Sequence, residues 1–181
     1  LVVAMMISLV ACGSGKAGEQ STGETPLEIL VNVWDSYIDD EKFSIMGGGP
    51  EFDQSIMDEP GEFALTDGEA IDSLLGFPDS SLALITEAAS IMHAMNQNTF
   101  TAGVYHVTKA DDVQAVADAV KENIMNRQWM CGFPDDLVIY SIGTNYVAAV
   151  FGAEDIVDNF EEALETVYTS TKILYNEDLT F

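Results

Sequence analysis

Two stretches of this chain share one order of elements, and that order restricts the fold more than any single motif does. Phe100 to Thr108, FTAGVYHVT, is rich in β-branched and aromatic residues and runs into Lys109-Ala110-Asp111-Asp112. Val113, Val116, Ala117, Val120 and Ile124 then recur at helical spacing. Tyr146 to Phe151, YVAAVF, runs likewise into Gly152-Ala153-Glu154-Asp155 and on to Ile156, Val157, Phe160, Leu164 and Val167. Strand, x-Ala-acid-Asp junction and amphipathic helix therefore occur twice. The acidic residues stand in the helix's first turn, where unpaired N–H groups and the macrodipole favour negative charge, so capping accounts for them without a metal.

Each of these strands follows another apolar stretch. LVIYSI (137–142) is separated from YVAAVF by Gly143-Thr144-Asn145, a short turn-forming segment that predicts a hairpin. LALITEAASIMHAM (82–95) precedes the first unit and is read as a strand, although its alanines and spacing also suit a helix beginning at Asp79. The core domain, residues 76–181, thus reads as ββα twice. Helices on one face of an antiparallel sheet would bury both apolar surfaces, so the expected fold is α+β, a two-layer sandwich with a duplicated ββα unit.

An N-terminal helical and loop segment, residues 26–75, precedes that core. PLEILVNVWDSYID begins with Pro26 after Thr25, an N-cap followed by a proline suited to the first turn. Leu27, Leu30, Val31, Trp34, Tyr37 and Ile38 make its helix amphipathic. Asp39 to Glu62, with its GGGP, predicts a long loop, and Asp67 to Leu75 a short helix ending at Gly76. GFPD occurs at 76–79 and again at 132–135, each read as helix punctuation.

The opening residues address location. Residues 1–11, LVVAMMISLVA, carry no charge and are too short for a span of about 20 residues, which fits the apolar region of a signal peptide. No initiator Met or basic residue precedes them, so the start of that signal is expected to lie upstream. Leu9-Val10-Ala11-Cys12 matches a bacterial lipobox, making Cys12 the expected site of lipid attachment and the mature N-terminus. Two acyl chains anchor a protein stably where one does not. Residues 12–25 then form a flexible Gly/Ser/Thr/Glu linker. GSGK at 13–16 lacks the spacing of a phosphate-binding loop.

Composition removes several function classes. Thirty-one acidic against 6 basic residues give a formal charge of -25, which repels phosphate backbones and anionic headgroups. Nucleic acid is therefore not an expected partner, and the membrane is contacted through the lipid anchor alone. With Cys12 acylated, Cys131 is left without an intramolecular partner and reads as a small buried hydrophobe. Trp34 and Trp129 read as core residues.

No zinc, nucleophile-elbow, C-x-x-C or EF-hand motif is present, so no catalytic residues, metal ligands or cofactors are assigned. The two histidines, His93 and His106, fall on successive strands. Paired in a suitable register, and with Glu87 nearby, they could hold a metal. Gly47-Gly48-Gly49-Pro50 resembles an anion cradle, but Glu51 and Asp53 follow it and would repel phosphate. Asp39-Asp40-Glu41, Asp58-Glu59-Glu62 and Glu161-Glu162-Glu165 read as solvated faces without calcium-loop spacing.

The lipobox, the acidic linker, the N-terminal helix and especially the stretch from GFPD (76) through NRQWMCGFP, the GTNYVAAVF hairpin and EDIVDNFEEAL resemble a family of lipoproteins from clostridial and related Gram-positive bacteria, known only as a domain of unknown function. The resemblance covers roughly residues 70–166 and implies a cell-surface lipoprotein without supplying an activity or active-site residues. The expected function is a lipid-anchored, extracytoplasmic, non-enzymatic domain that binds a protein, peptide or envelope component. One alternative is an envelope hydrolase using carboxylates or a metal near His93 and His106. Another is a cation-binding or structural surface protein.

Overall fold

The capping signals ahead of Pro26 act as the sequence predicts. In the computed structural model, which describes residues 23–49 and 55–179, Thr25 N donates to the Glu28 carboxylate (2.7 Å) and Glu28 N donates to Thr25 Oγ1 (3.2 Å). This capping box opens helix α1 (Pro26–Ser36), whose Ile29, Leu30, Val33 and Trp34 are buried. Residues 1–22, with the lipobox, Cys12 and most of the linker, lie outside the described residues, as does Pro50 with Glu51 and Asp53.

Where a loop is expected after α1, the chain makes a 3₁₀ turn (Asp39–Glu41) and three very short strands, β1 (Ile45–Gly47), β2 (Ile56–Met57) and β3 (Gly61–Glu62). Two or three residues cannot show a period of two, which hides such strands from pattern reading. Helix α2 (Gly68–Leu75) is capped by the Asp67 carboxylate, which accepts from Ala70 N at 3.0 Å, and ends at Gly76 with φ +70°. A 3₁₀ segment (Asp79–Leu84) leads into β4 (Ile85–His93), so most of 82–95 is the expected strand. There follow β5 (Phe100–Val107), α3 (Val113–Met125), β6 (Asp136–Ile142), β7 (Tyr146–Gly152), α4 (Glu154–Val167) and an edge strand, β8 (Thr171–Asp178).

The eight strands of the described residues form one antiparallel sheet in the order β2-β1-β4-β5-β7-β6-β8, with β3 also paired to β4. The α+β class and the antiparallel sheet are as expected; the placement of the helices on one face is not. Tyr146, Ala148 and Val150 pack with α1 and α4, whereas Val147, Ala149 and Phe151 pack with α2 and α3. Every residue of β7 is buried, so both sheet faces need cover and the sandwich has three layers.

Connectivity explains why the helices divide. β5 and β6 run parallel with β7 between them and are joined through α3; β7 and β8 run parallel with β6 between them and are joined through α4. Both crossovers step the same way across the sheet, but they leave from strands of opposite direction. Crossovers of one hand must then lie on opposite faces. The ββα order does occur twice, as β4-β5-α3 and β6-β7-α4. A rotation that carries one hairpin onto the other nevertheless leaves the two helices on opposite sides.

The glycine run has a different purpose from that of a loop or cradle. β1 and β3 meet end to end along β4, and a Cβ on Gly61 would lie 2.6 Å from Gly47 C and 2.6 Å from Gly48 N. Gly48 N donates to Ser90 Oγ (3.0 Å) and Gly49 N to the Glu62 carbonyl (2.9 Å), so these N–H groups are used within the fold. The second GFPD is also not helix punctuation. α3 has already ended at Asn126, and Gly132 (φ +129°) belongs to the loop before β6. From that motif the Asp135 carboxylate instead accepts from Glu154 N at the start of α4 (3.4 Å).

Candidate functional site

A bulge in β4 creates the one histidine-centred polar cluster. Ile85 pairs with Val107 and Glu87 with His106, so Thr86 is the extra residue and both Thr86 and Glu87 come to face His106. Thr86 Oγ1 lies 3.1 Å and Glu87 Oε2 3.5 Å from His106 Nδ1. On the other side Asn145, from the β6–β7 turn, places Nδ2 2.5 Å from His106 Nε2, and the Tyr146 ring stacks on the imidazole at 4.8 Å and 15°. Asn145 thus faces Nε2 while Thr86 and Glu87 face Nδ1.

This arrangement excludes a hydroxyl nucleophile relay. Such a relay needs the hydroxyl on one ring nitrogen and the carboxylate on the other, so that the base can accept the hydroxyl proton. Here Thr86 and Glu87 share one nitrogen and Asn145 occupies the other. The cluster works as a clasp joining β4, β5 and the β6–β7 turn. Beside it opens a groove of about 400 Å³ between the start of α1, residues 62–65 and residues 86–88 of β4, with Glu62 and Glu87 in its wall.

The expected meeting of His93 with His106 does not occur. His106 pairs with Glu87, while His93 sits at the far end of β4 opposite Ile45, six residues on, or roughly 20 Å along an extended strand. His93 Nδ1 accepts from Met95 N (3.2 Å) and Asn96 N (3.3 Å), and its ring stacks on Phe43 at 5.5 Å. It closes a turn. Among the described residues no group of three or more His, Cys, Asp or Glu is placed to hold a metal ion. The metal form of the hydrolase alternative loses its ligand pair.

Cys131 is likewise not buried but exposed, with φ +61°. Trp129 takes the buried place against Phe151, and the turn at 131–132 swings the thiol outward. This loop and the β4–β5 turn are stitched together: Asn96 Nδ2 donates to the Cys131 carbonyl (3.1 Å), and Asn98 Nδ2 to those of Met130 (2.9 Å) and Gly132 (3.0 Å). The two loops thereby present Met95, Met130 and Phe133, which are 88%, 77% and 68% exposed. Sequence reading missed this tip. The signal was present as apolar residues inside turn-rich segments, NRQWMCGFP above all.

The acidic faces differ in their chemistry. Burial, then Glu154, Asp178, Asp158 and Asp135, raise the pKa of Asp136. Glu161, which with Glu165 accepts from the buried Tyr140 hydroxyl, is raised by burial although that hydrogen bond opposes the shift. Glu28 is lowered by the Thr25 backbone N–H and hydroxyl, and Asp118 by the Tyr175 hydroxyl and Gln114. A raised carboxylate favours the folded chain most below its unfolded pKa of about 4 and loses that contribution as pH climbs through the folded value. A lowered one favours folding above its unfolded pKa, and that support is lost as pH falls through the folded value. The melting temperature should therefore rise as pH falls from neutrality toward the unfolded carboxylate value of about 4 and fall again below it, as read by calorimetry; a steady fall from neutrality downward contradicts the raised pKa values of Asp136 and Glu161.

Comparison with known proteins finds no protein-family model, no curated protein and no solved structure that matches this chain.

Proposed function

We propose that the chain is a bacterial surface lipoprotein, of the Gram-positive family it resembles, that is held at the extracytoplasmic membrane face through Cys12 and binds a protein partner without catalysis. Support for the anchor comes from Leu9-Val10-Ala11-Cys12 and the linker after it. No described helix is long and apolar enough to cross a membrane. Support for binding rests on one observation above the others, the exposed tip of Met95, Met130 and Phe133. Large apolar side chains gathered at one place on a surface of such charge favour an apolar pocket on a partner.

The tip lies at the opposite end of the sheet from Glu24. Residue 24 is tied to Tyr146, whose hydroxyl donates to the Glu24 carbonyl, and to Tyr168, whose hydroxyl donates to its carboxylate (3.0 Å). Tyr146 begins β7, whereas Phe133 and Met95 neighbour the opposite end of the sheet, where Gly152 pairs with Phe100 and Asp136. A chain anchored through the Glu24 end can thus turn its apolar loops outward.

Two measurements test this. Cys12→Ala should abolish incorporation of labelled fatty acid and release the protein to the medium; unchanged membrane retention refutes the anchor. A photo-crosslinking residue at position 133 on intact cells should give a discrete adduct that Met130→Asp removes. The same adducts from a control position such as Glu69 would refute the tip.

A further inference from the structure

Six methionines lie among the described residues, and the fold sorts them sharply by exposure. Met92 is buried on β4, Met46 and Met125 pack half-buried against the core on the α2 and α3 side, and Met57 stands half exposed on β2. The two most exposed, Met95 and Met130, both belong to the tip. Their backbones are held: Met95 N donates to His93 Nδ1 (3.2 Å), and the Met130 carbonyl accepts from the buried Asn98 amide (2.9 Å). Asn96 and Asn98 bind the Cys131 and Gly132 carbonyls as well. The fold thus fixes both residues through main-chain groups and leaves their thioethers in solvent.

A thioether differs from an aliphatic side chain in that it can take up an oxygen atom with its carbon chain intact. The sulfur lone pair attacks one peroxide oxygen, an S–O bond forms and the O–O bond breaks. The departing hydroxide takes the proton from the sulfur-bound oxygen and leaves as water; sulfur has lost two electrons and the peroxide has gained them. A sulfoxide results, polar where the thioether was apolar. Access decides which methionines react, so burial shields Met92. The formal charge of -25 repels anionic oxidants but not an uncharged one such as hydrogen peroxide.

We propose that Met95 and Met130 form an oxidation site that regulates the tip: peroxide converts their thioethers to sulfoxides, and the apolar surface offered to a partner becomes polar. The regulatory step rests on the reading of the tip as the binding surface. A sulfoxide carried into an apolar pocket leaves its oxygen without a hydrogen-bond donor, which opposes binding. Of the three tip residues only Phe133 then stays apolar. Because the loops are tied through backbone groups, oxidation changes what the tip presents and not where it stands. Methionine sulfoxide reductases return the sulfur to its thioether, so the change is reversible.

The test treats the whole chain with hydrogen peroxide, in a Cys131→Ser background that keeps the exposed thiol of the same loop out of the readout. Peptide mass spectrometry should find Met95 and Met130 each gaining one oxygen at least tenfold faster than Met92. The oxidised protein should leave a hydrophobic-interaction column earlier; dithiothreitol should not reverse this, whereas methionine sulfoxide reductases should. Adding Met95→Leu and Met130→Leu together should abolish most of the shift, and adding Met57→Leu instead should keep it. The melting temperature should change on oxidation by no more than about 2 °C. With the crosslinker at position 133, peroxide should cut the cellular adduct at least tenfold, and the double leucine variant should keep its adduct in peroxide. Equal oxidation rates for Met92 and the tip pair, an unchanged or leucine-insensitive column shift, a larger fall in melting temperature, or an adduct that survives full oxidation would overturn the proposal. If the untreated protein gives no specific adduct, the binding reading fails, and the mass, column and melting results alone decide the oxidation site.

Discussion

Gly61→Ala is expected to destabilise the protein by about 3 kcal/mol or more, a large share of the stability of a typical domain. The reason is contact between backbones. An added Cβ would meet Gly47 C, Gly48 N and Gly47 O at 2.6, 2.6 and 2.7 Å, and none of these atoms can rotate away as a side chain would. Relief requires β1 and β3 to part. That parting would break the Gly61–Ser90 and Met46–Met92 pairings and the bond from Gly48 N to Ser90 Oγ. Gly23→Ala is the comparison: φ is +71° there, but an added Cβ meets nothing within 4 Å. Its cost should stay near 1 kcal/mol. Urea denaturation gives both values, and hydrogen exchange should show the first loss of protection at 45–49 and 61–63. Equal costs for the two substitutions would remove the close-approach account.

The contrast between these glycines shows what the sequence could and could not disclose. α1, α3 and α4 were legible because their burial follows the helical period, with Thr25 marking the start of α1, and the β6–β7 hairpin because two continuous apolar runs flank Gly143-Thr144-Asn145. β1 to β3 were not, since strands of two or three residues exist only by virtue of the β4 edge that holds them. β8, TKILYNED, mixes polar and apolar residues at an exposed edge and gives no clear alternation. Strand order is equally absent from local pattern. Each helix could be seen to bury one face, but nothing near Val120 or Phe160 states that β7 lies between β5 and β6.

The candidate sites divide in the same way. Register decides that His106 meets Glu87, and the bulge at Thr86 decides that a hydroxyl joins them; neither is a property of neighbours in sequence. Tyr37 follows the apolar spacing of α1 and is buried just beyond the helix's last residue, Ser36. Cys131 was misjudged because Trp129, two residues earlier, fills the buried place that the loop offers.

The two-sided core makes a second strong prediction. Phe160 of α4 is buried against Phe100, with ring centroids 5.8 Å apart, on the face shared with α1. Phe151 is buried on the other face, beneath Trp129 and among the residues of α2 and α3. Removing either aromatic leaves a cavity between a helix layer and the sheet, so Phe160→Ala and Phe151→Ala should each cost about 3–5 kcal/mol. The exposed Phe133→Ala should change stability by no more than about 0.5 kcal/mol. A sandwich covered on one side only would respond differently, because an aromatic on an open face would be partly hydrated in the folded state and its loss nearly neutral. Guanidinium denaturation of the three variants distinguishes the cases. A Phe151→Ala value close to that of Phe133→Ala would show that α2 and α3 do not cover the sheet.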